Sequence, residues 1–168
     1  MIHALVGALV LAAISTAGDF VWANWRVRHL AVYGVIHGVA MFLVAGYVLG
    51  ARNGRGLPSA IGGVIAGVAG AASFYALRPL LGYSAMFLSW ILVWVVLGYA
   101  SKAGVARGVV AALLSGAAFY VVSGMWMPFN PSGPLDYAEH FVRWTIAFLP
   151  GFAALLLSRS RTTEERVR

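Results

Sequence analysis

Long apolar runs separated by short polar segments make up most of the chain. A helix needs about 20 mainly apolar residues to cross the hydrocarbon core of a bilayer, and six runs approach that length. They cover residues 2–17, 30–50, 58–78, 83–101, 108–128 and 140–158. The pattern therefore predicts an all-α, polytopic transmembrane bundle of six helices over residues 1–158, followed by a basic tail over residues 159–168.

Proline and glycine mark the ends of several runs. Pro58 fits the first turn of the third helix, where its missing N–H costs nothing. Pro79 and Gly82 predict a tight turn between the third and fourth helices, and NPSGP at residues 130–134 is the strongest turn signal in the chain. These signals agree with a set of separate helices.

The first run has one alternative interpretation, a signal peptide with Ser15-Thr16-Ala17 as its cleavage site. Such a peptide begins with a positively charged segment, and residues 1–17 contain no Lys or Arg. Because five further apolar runs follow, we predict that residues 2–17 form a retained helix.

Composition favours a membrane location. Of the 168 residues, 61% are hydrophobic and only 10% are charged, and the mean hydropathy is +0.85. A soluble domain carries roughly 25% charged residues, so this chain has too few charges for a water-facing surface. The absence of Cys excludes disulfides, thiolate metal sites and cysteine nucleophiles.

The basic residues predict an orientation. With six helices, one side of the membrane receives eight cations: Arg52, Arg55, Lys102, Arg107, Arg159, Arg161, Arg166 and Arg168. The other side receives only Arg26, Arg28, Arg78 and Arg143. Because cytoplasmic loops carry the excess of Lys and Arg, we predict cytoplasmic termini in a bacterial cytoplasmic membrane. Membrane orientation also explains the net charge of +7 without a nucleic-acid partner.

Small residues recur at helical spacing and suggest close helix contacts. Gly34 and Gly38 form a GxxxG pattern, as do Gly46 and Gly50, and Gly63 and Gly67. In lipid, such stripes let helix backbones approach closely, and simple bundle packing explains each of them. Glycine-rich helices that face aromatic ones can also leave an apolar cleft, which suits a lipid or sterol-like ligand. The candidate ligand-binding residues are Tyr33, His37, Gly63, Gly67, Phe74, Tyr75, Trp90, Trp94, Tyr120 and Trp126.

The stretch GDFVWANWRVRHLAVYGVIHG, residues 18–38, carries most of the polar groups near the second helix. If that helix began near Asp19, one face would carry Asp19, Arg26, His29, Tyr33 and His37. The simpler interpretation is that this stretch lies at the membrane–water interface before the second helix, with Trp22 and Trp25 in the aromatic belt and Asp19 as a loop charge. We favour that interpretation, and only His37 and Tyr33 lie deep enough to need a functional explanation.

A second polar group begins the sixth helix, on the same predicted side. Its residues Asp136, Glu139, His140 and Arg143 lie on one helical face. The alternative polar site thus comprises Asp19, Arg26, His29, Asp136, Glu139, His140 and Arg143. It would serve a small membrane enzyme or a proton-coupled carrier, with the acids and histidines carrying protons and the arginines holding an anion. An accessory subunit of a membrane complex is a third interpretation.

Catalytic motifs are missing. The chain has no HExxH, no P-loop and no GxSxG. Glu139 and His140 are adjacent rather than spaced as ExxH, so a di-iron bundle is unsupported. The sequence favours a protein without catalysis, and we predict no catalytic residue, no metal and no cofactor.

The C-terminal half, RGVVAALLSGAAFYVVSGMWMPFNPSGPLDYAEHFVRWTIAFLPGF at residues 107–152, resembles the insulin-induced gene (Insig) family of six-helix membrane proteins. The matching positions are Gly124, Trp126, Pro131, Asp136, Trp144, Pro150 and Gly151. The preceding span, SWILVWVVLGYASKAGVARG, looks like the family's Trp-containing fourth helix and basic loop. The chain departs from the family in two places. Trp144 and Pro150 are six positions apart, whereas the family's Trp and Pro are nearly adjacent. In animal members an acidic residue that helps hold a partner protein follows the aromatic residue at the end of helix four, whereas here Ala100 follows Tyr99.

The resemblance implies a bundle with a cavity that opens to the bilayer and accepts a lipid or sterol-like molecule. Together with the glycine and aromatic pattern, it leads to our first hypothesis, a lipid-sensing or regulatory membrane protein. Its partners would be a membrane lipid or isoprenoid ligand and either a second copy of the chain or another membrane protein. The ligand would act by shifting the populations of helix packings.

Overall fold

A computed structural model describes residues 1–25, 27–123 and 136–156 of the chain. These residues form six α-helices and no strand, which confirms the all-α prediction for this part of the protein. The helices are α1 (Ile2–Asn24), α2 (Leu30–Ala51), α3 (Gly56–Leu81), α4 (Ala85–Ala100), α5 (Val105–Ser123) and α6 (Tyr137–Leu156). The predictions for Arg26, Trp126, the turn at 130–134 and the tail at 159–168 lie outside the described residues.

Four stretches of the described chain are long and apolar enough to cross a membrane: Ile2–Asn24, Leu30–Ala51, Gly56–Ala100 and Val105–Val122. The third of them contains both α3 and α4, which a short 3-10 turn at Gly82–Ser84 separates. Large apolar side chains also cover the outside of the bundle, including Ile36, Ile61 and Leu113, each more than half exposed. An outer surface of this kind is unfavourable in water and supports an integral membrane protein.

The structure corrects two predicted boundaries. The first helix does not stop at residue 17 but continues to Asn24, so Asp19 belongs to α1 and cannot share a face of α2 with His29, Tyr33 and His37. Pro79 does not end the third helix, which continues to Leu81. Gly82 ends it, since its φ of 57° lies in the left-handed region that favours glycine and its N–H bonds to the Arg78 carbonyl.

The helices pack as a closed ring around a buried core. Each helix packs against the next in sequence, and α1 packs against α6. The largest fully buried side chains come from several helices around the ring, among them Leu11, Leu49, Trp94 and Phe148. Short connections link each of the helices α1 to α4 to the next helix and make these successive helices antiparallel.

Glycines bring α2 and α3 into backbone contact. A methyl group on Gly63 would overlap the Phe42 carbonyl oxygen, and one on Gly67 would lie 2.5 Å from the Gly38 carbonyl oxygen. The predicted GxxxG stripes therefore lie where the backbones of the two helices meet. By contrast, α1 and α2 meet less extensively, and a cavity lies beside them.

Candidate functional site

A cavity of about 390 Å³ lies between α1, α2, α3 and α4. It starts near the ends where α1 meets α2 and α3 meets α4, where Asp19, Tyr33 and Arg78 border it, and it reaches Met41 and Val93 near the middle of the bundle. Trp144 of α6 completes its wall. The polar side chains are concentrated at the end near the connections, whereas the deeper part is lined by apolar side chains and helix glycines.

Six of the predicted ligand-binding residues line this cavity: Tyr33, His37, Gly67, Phe74, Tyr75 and Trp90. Gly63 lies instead in the α2–α3 contact. Trp94 is buried in the core, edge-on to Phe152 with ring centroids 5.7 Å apart. Tyr120 is 45% exposed and packs beside Phe87.

Asp19 of α1 meets His140 and Trp144 of α6 at the polar end of the cavity. The Asp19 Oδ2 atom lies 2.7 Å from His140 Nε2 and 3.1 Å from the Trp144 indole Nε1. Both ionisable side chains are partly buried, with 33% of Asp19 and 25% of His140 exposed. A carboxylate and an imidazole at this distance can share one proton.

Tyr33 and His37 of α2 pack against α1 at Gly18. The Tyr33 hydroxyl donates to the Gly18 carbonyl oxygen, and the Tyr33 and His37 rings stack with centroids 6.0 Å apart. A methyl group on Gly18 would overlap the His37 imidazole. The missing side chain of Gly18 therefore leaves the space that the His37 imidazole occupies, next to the helix turn that carries Asp19.

A column of stacked rings supports the α6 side of the cavity. Trp90 and Trp144 lie between Phe119 and Phe148, with centroid distances of 5.0–6.0 Å and nearly parallel planes. The Trp90 Nε1–H donates to Ser115 Oγ at 2.9 Å, and the Ser115 hydroxyl donates to the Ala147 carbonyl oxygen at 2.6 Å. These two bonds connect α4, α5 and α6.

The predicted alternative polar site is brought together only in part. Asp19 and His140 meet, but His29 lies at the exposed N-terminal boundary of α2. Glu139 pairs with Arg143 on the exposed surface of α6. Asp136 accepts the backbone N–H groups of residues 138 and 139 and thereby caps α6.

Sequence reasoning missed two parts of the site. It did not predict the contact between Trp144 and Asp19. Asp19 was a member of the alternative polar site, and Trp144 was one of the positions that match the Insig family. It also missed Ser115, because a serine next to Gly116 and close to several alanines looks like any other small residue of a packed helix. A local sequence pattern cannot predict the Asp19–Trp144 contact or the bonds of Ser115, because the partners belong to different helices that are distant in sequence.

A second cleft, of about 720 Å³, lies at the opposite end of the bundle. Arg52, Lys102 and Arg107 border it, and the Arg52 guanidinium donates to the Leu156 carbonyl oxygen at 3.3 Å. The two ends of the bundle therefore differ in chemistry. One carries the aromatic cavity with Asp19, and the other carries three cations around a polar cleft.

Within the described ranges, no three His, Asp or Glu side chains are placed to hold a metal ion. Comparison with protein-family models, with curated proteins and with solved structures gives no match. The Insig resemblance therefore stays a prediction.

Proposed function

We propose that this chain is a protein of the bacterial cytoplasmic membrane that binds a lipid or sterol-like molecule in the cavity beside α1 and α2. Its role would be sensing or regulation without catalysis. The observation that carries the proposal is the cavity itself, which is polar at one end and apolar in its depth. An amphiphile inserted from the membrane would match that division.

The size and walls of the cavity support this ligand class. A volume of about 390 Å³ lies within the roughly 300–1,000 Å³ typical of small-molecule sites. Phe74, Trp90 and Met41 offer apolar surface, while Asp19 and Tyr33 stand at the polar end. Such a site fixes the orientation of an amphiphile because only one end of the cavity can satisfy a polar head.

A response to the ligand follows from the unequal helix contacts. The α2–α3 pair is held by backbone contacts at Gly63 and Gly67, whereas α1 and α2 meet less extensively beside the cavity. A ligand that prefers one arrangement of α1 against α2 would shift the population toward it. That shift could alter the outer surface that a second copy or another membrane protein contacts.

The proposal includes six membrane spans with both termini in the cytoplasm. The antiparallel helices α1 to α5 place Arg52, Lys102 and Arg107 at the same end of the bundle, which is the expected cytoplasmic end. Asp19, Arg28 and Arg78 belong to the opposite end.

Orientation is testable because the natural chain contains no Cys. Ala23 and Ala51 are exposed at opposite ends of the bundle. In intact spheroplasts, a membrane-impermeant maleimide should label the Ala23→Cys variant, and it should label Ala51→Cys only after permeabilisation. The natural chain controls for background labelling. The reverse pattern would overturn the orientation, and labelling of both variants from outside would contradict a span between them.

Ligand retention tests the cavity. Gly67 is a predicted ligand-binding residue that lines the cavity, but it is unsuitable for a blocking substitution. Because its backbone contacts Gly38, a larger residue there would separate α2 from α3. Ala71 lines the cavity and the neighbouring Ala72 is exposed on the outside of α3, so Ala71→Phe should fill the cavity while Ala72→Phe should not. We expect mass spectrometry of organic extracts to find one lipid-like molecule enriched near stoichiometry in the natural protein and in Ala72→Phe. Its level should fall at least tenfold in Ala71→Phe.

Other outcomes of the extraction would speak against the proposal. Membrane lipid in bulk proportions from all three proteins would contradict a selective site. An enriched molecule that Ala71→Phe retains in full would place the ligand outside this cavity.

One observation favours a second candidate function, a proton-coupled carrier. The Asp19 and His140 side chains share a hydrogen bond between α1 and α6, and a proton held there would change the charge at the polar end of the cavity. An extract with bulk lipid only would favour this function over a lipid-binding one.

A further inference from the structure

The two carboxylate oxygens of Asp19 have different surroundings. Oδ2 is close to both His140 Nε2 and Trp144 Nε1. The Trp144 Nε1 atom also lies 3.0 Å from His140 Nε2. An indole N–H can only donate, and an ionised carboxylate can only accept. With Asp19 ionised, His140 Nε2 carries the proton that it donates to Oδ2 and has no lone pair left for the indole, so both N–H groups converge on Oδ2. Among the described residues no donor reaches Oδ1. Asp19 borders the cavity, and a donor on a molecule bound there can pair with this oxygen.

His37 offers a second unused polar group at the same level. Its ring lies against Gly18 and stacks on Tyr33, and it forms no hydrogen bond with any described residue. A neutral imidazole has one N–H donor and one acceptor nitrogen. Because Gly18 directly precedes Asp19, the imidazole and the carboxylate border the same end of the cavity.

Several other polar groups around the cavity are already engaged. The Tyr33 hydroxyl donates to the Gly18 carbonyl oxygen, and the Tyr75 hydroxyl donates to the Leu30 carbonyl oxygen at 2.8 Å. The Ser73 and Ser89 hydroxyls lie 2.9 Å apart and bond to each other. Arg78 is exposed near the connection, with its guanidinium over the rings of Phe74 and Tyr83.

We infer that the cavity selects an amphiphile with a hydroxyl head, such as an isoprenoid or sterol-like alcohol. A hydroxyl both donates and accepts, so it can donate to Asp19 Oδ1 and accept from the His37 N–H. An ether has no proton to donate and would leave the carboxylate oxygen desolvated and unpaired. A carboxylate head would bring a second negative charge beside Asp19. The inference rests on the proposed lipid-binding function and narrows it to one head group.

Farnesol and its methyl ether test the head group with the same apolar chain. Native mass spectrometry of the purified full chain, released from detergent after titration with each compound, measures the two affinities. We expect the alcohol to bind at least tenfold more tightly than the ether.

The Asp19→Asn variant tests which side chain makes the selection. Its amide oxygen has to remain opposite the His140 and Trp144 donors, so its NH₂ group replaces Oδ1 at the cavity and presents a donor instead of an acceptor. The preference for the alcohol should then fall to about one. Glu139→Gln makes the same chemical change on the exposed surface of α6, one residue from His140, and should keep the full preference.

The outcomes separate this inference from the function on which it rests. Equal binding of alcohol and ether by the natural protein would overturn the hydroxyl selection and leave a lipid-binding cavity intact. A tenfold preference that persists in Asp19→Asn would remove Asp19 from the selection. Failure of both compounds to bind the natural protein would contradict the lipid-binding function and the inference together.

Discussion

Replacing Gly63 by alanine is expected to destabilise the bundle by about 3 kcal/mol, the upper end of the usual cost of overpacking a core. The added methyl group would overlap the carbonyl oxygen of Phe42 and crowd the backbone of Leu43. Both neighbours are backbone atoms, so no side-chain rotation can relieve the overlap. Helix α3 has to move away from α2, and the contacts along the Gly63–Gly67 stripe weaken together.

Thermal unfolding of the purified protein in detergent, followed by tryptophan fluorescence, measures the effect. Gly116→Ala is the matched control, because Gly116 is a buried helix glycine whose added methyl group would lie 3.9 Å from its nearest neighbour, Trp90 Cδ1. We expect a clearly lower Tm for Gly63→Ala and a nearly unchanged Tm for Gly116→Ala. Equal Tm values would contradict the close approach of α2 and α3.

The glycine stripes show what sequence can predict about this fold and what it cannot. A GxxxG pattern in an apolar run indicates that a helix backbone will be approached closely, and Gly63 and Gly67 confirm it. The pattern contains no information about the partner helix, which depends on the connection between Ala51 and Gly56 and on the packing of the whole ring. Helix existence was therefore predictable from hydrophobic length, whereas the pairing of backbones was not.

The end of α1 shows why a polar stretch is hard to place. Asp19 and Asn24 weaken the apolar pattern after residue 17, which suggested that the helix stops there. In the structure both residues find partners on α6: Asp19 meets His140, and the Asn24 amide donates to the Tyr137 hydroxyl at 2.9 Å. Because these tertiary bonds satisfy the polar groups, α1 continues into a segment whose composition alone favoured a loop.

The two tryptophans of α4 show the limit for the candidate site. Trp90 and Trp94 are one turn apart on one face of the helix, so periodicity assigned both to the cleft. Trp90 borders the cavity, but Trp94 meets Phe152 and Gly151 of α6 and is fully covered. The difference arises from the neighbouring helix, whose Gly151 leaves room for one indole ring. Sequence periodicity predicts on which face of a helix a residue lies. It does not predict whether a cavity or a neighbouring helix covers that face at a given level of the bundle.

Removal of the Ser115 hydroxyl is expected to cost about 1–2 kcal/mol, more than an average interhelical hydrogen bond in a membrane protein. Ser115 is fully buried and takes part in two bonds, accepting from Trp90 Nε1 and donating to the Ala147 carbonyl oxygen. In Ser115→Ala both bonds are lost, and the indole N–H stays buried without an acceptor. The ring of Trp90 also loses the contact that fixes its angle in the stacked column.

Ser101→Ala is the matched control for this loss. Ser101 is also buried, but among the described residues its hydroxyl bonds only to the Gly98 carbonyl oxygen within the same segment, at 3.4 Å. Its removal leaves no donor without a partner. Urea unfolding in detergent should therefore give a lower free energy of unfolding for Ser115→Ala than for Ser101→Ala, and the near-UV circular dichroism of Ser115→Ala should weaken as Trp90 loses its fixed orientation. Equal unfolding free energies with an unchanged near-UV spectrum would mean that the stacking of Trp90 on Phe119 and Phe148 suffices to hold the ring, and that the bond through Ser115 does not stabilise the bundle.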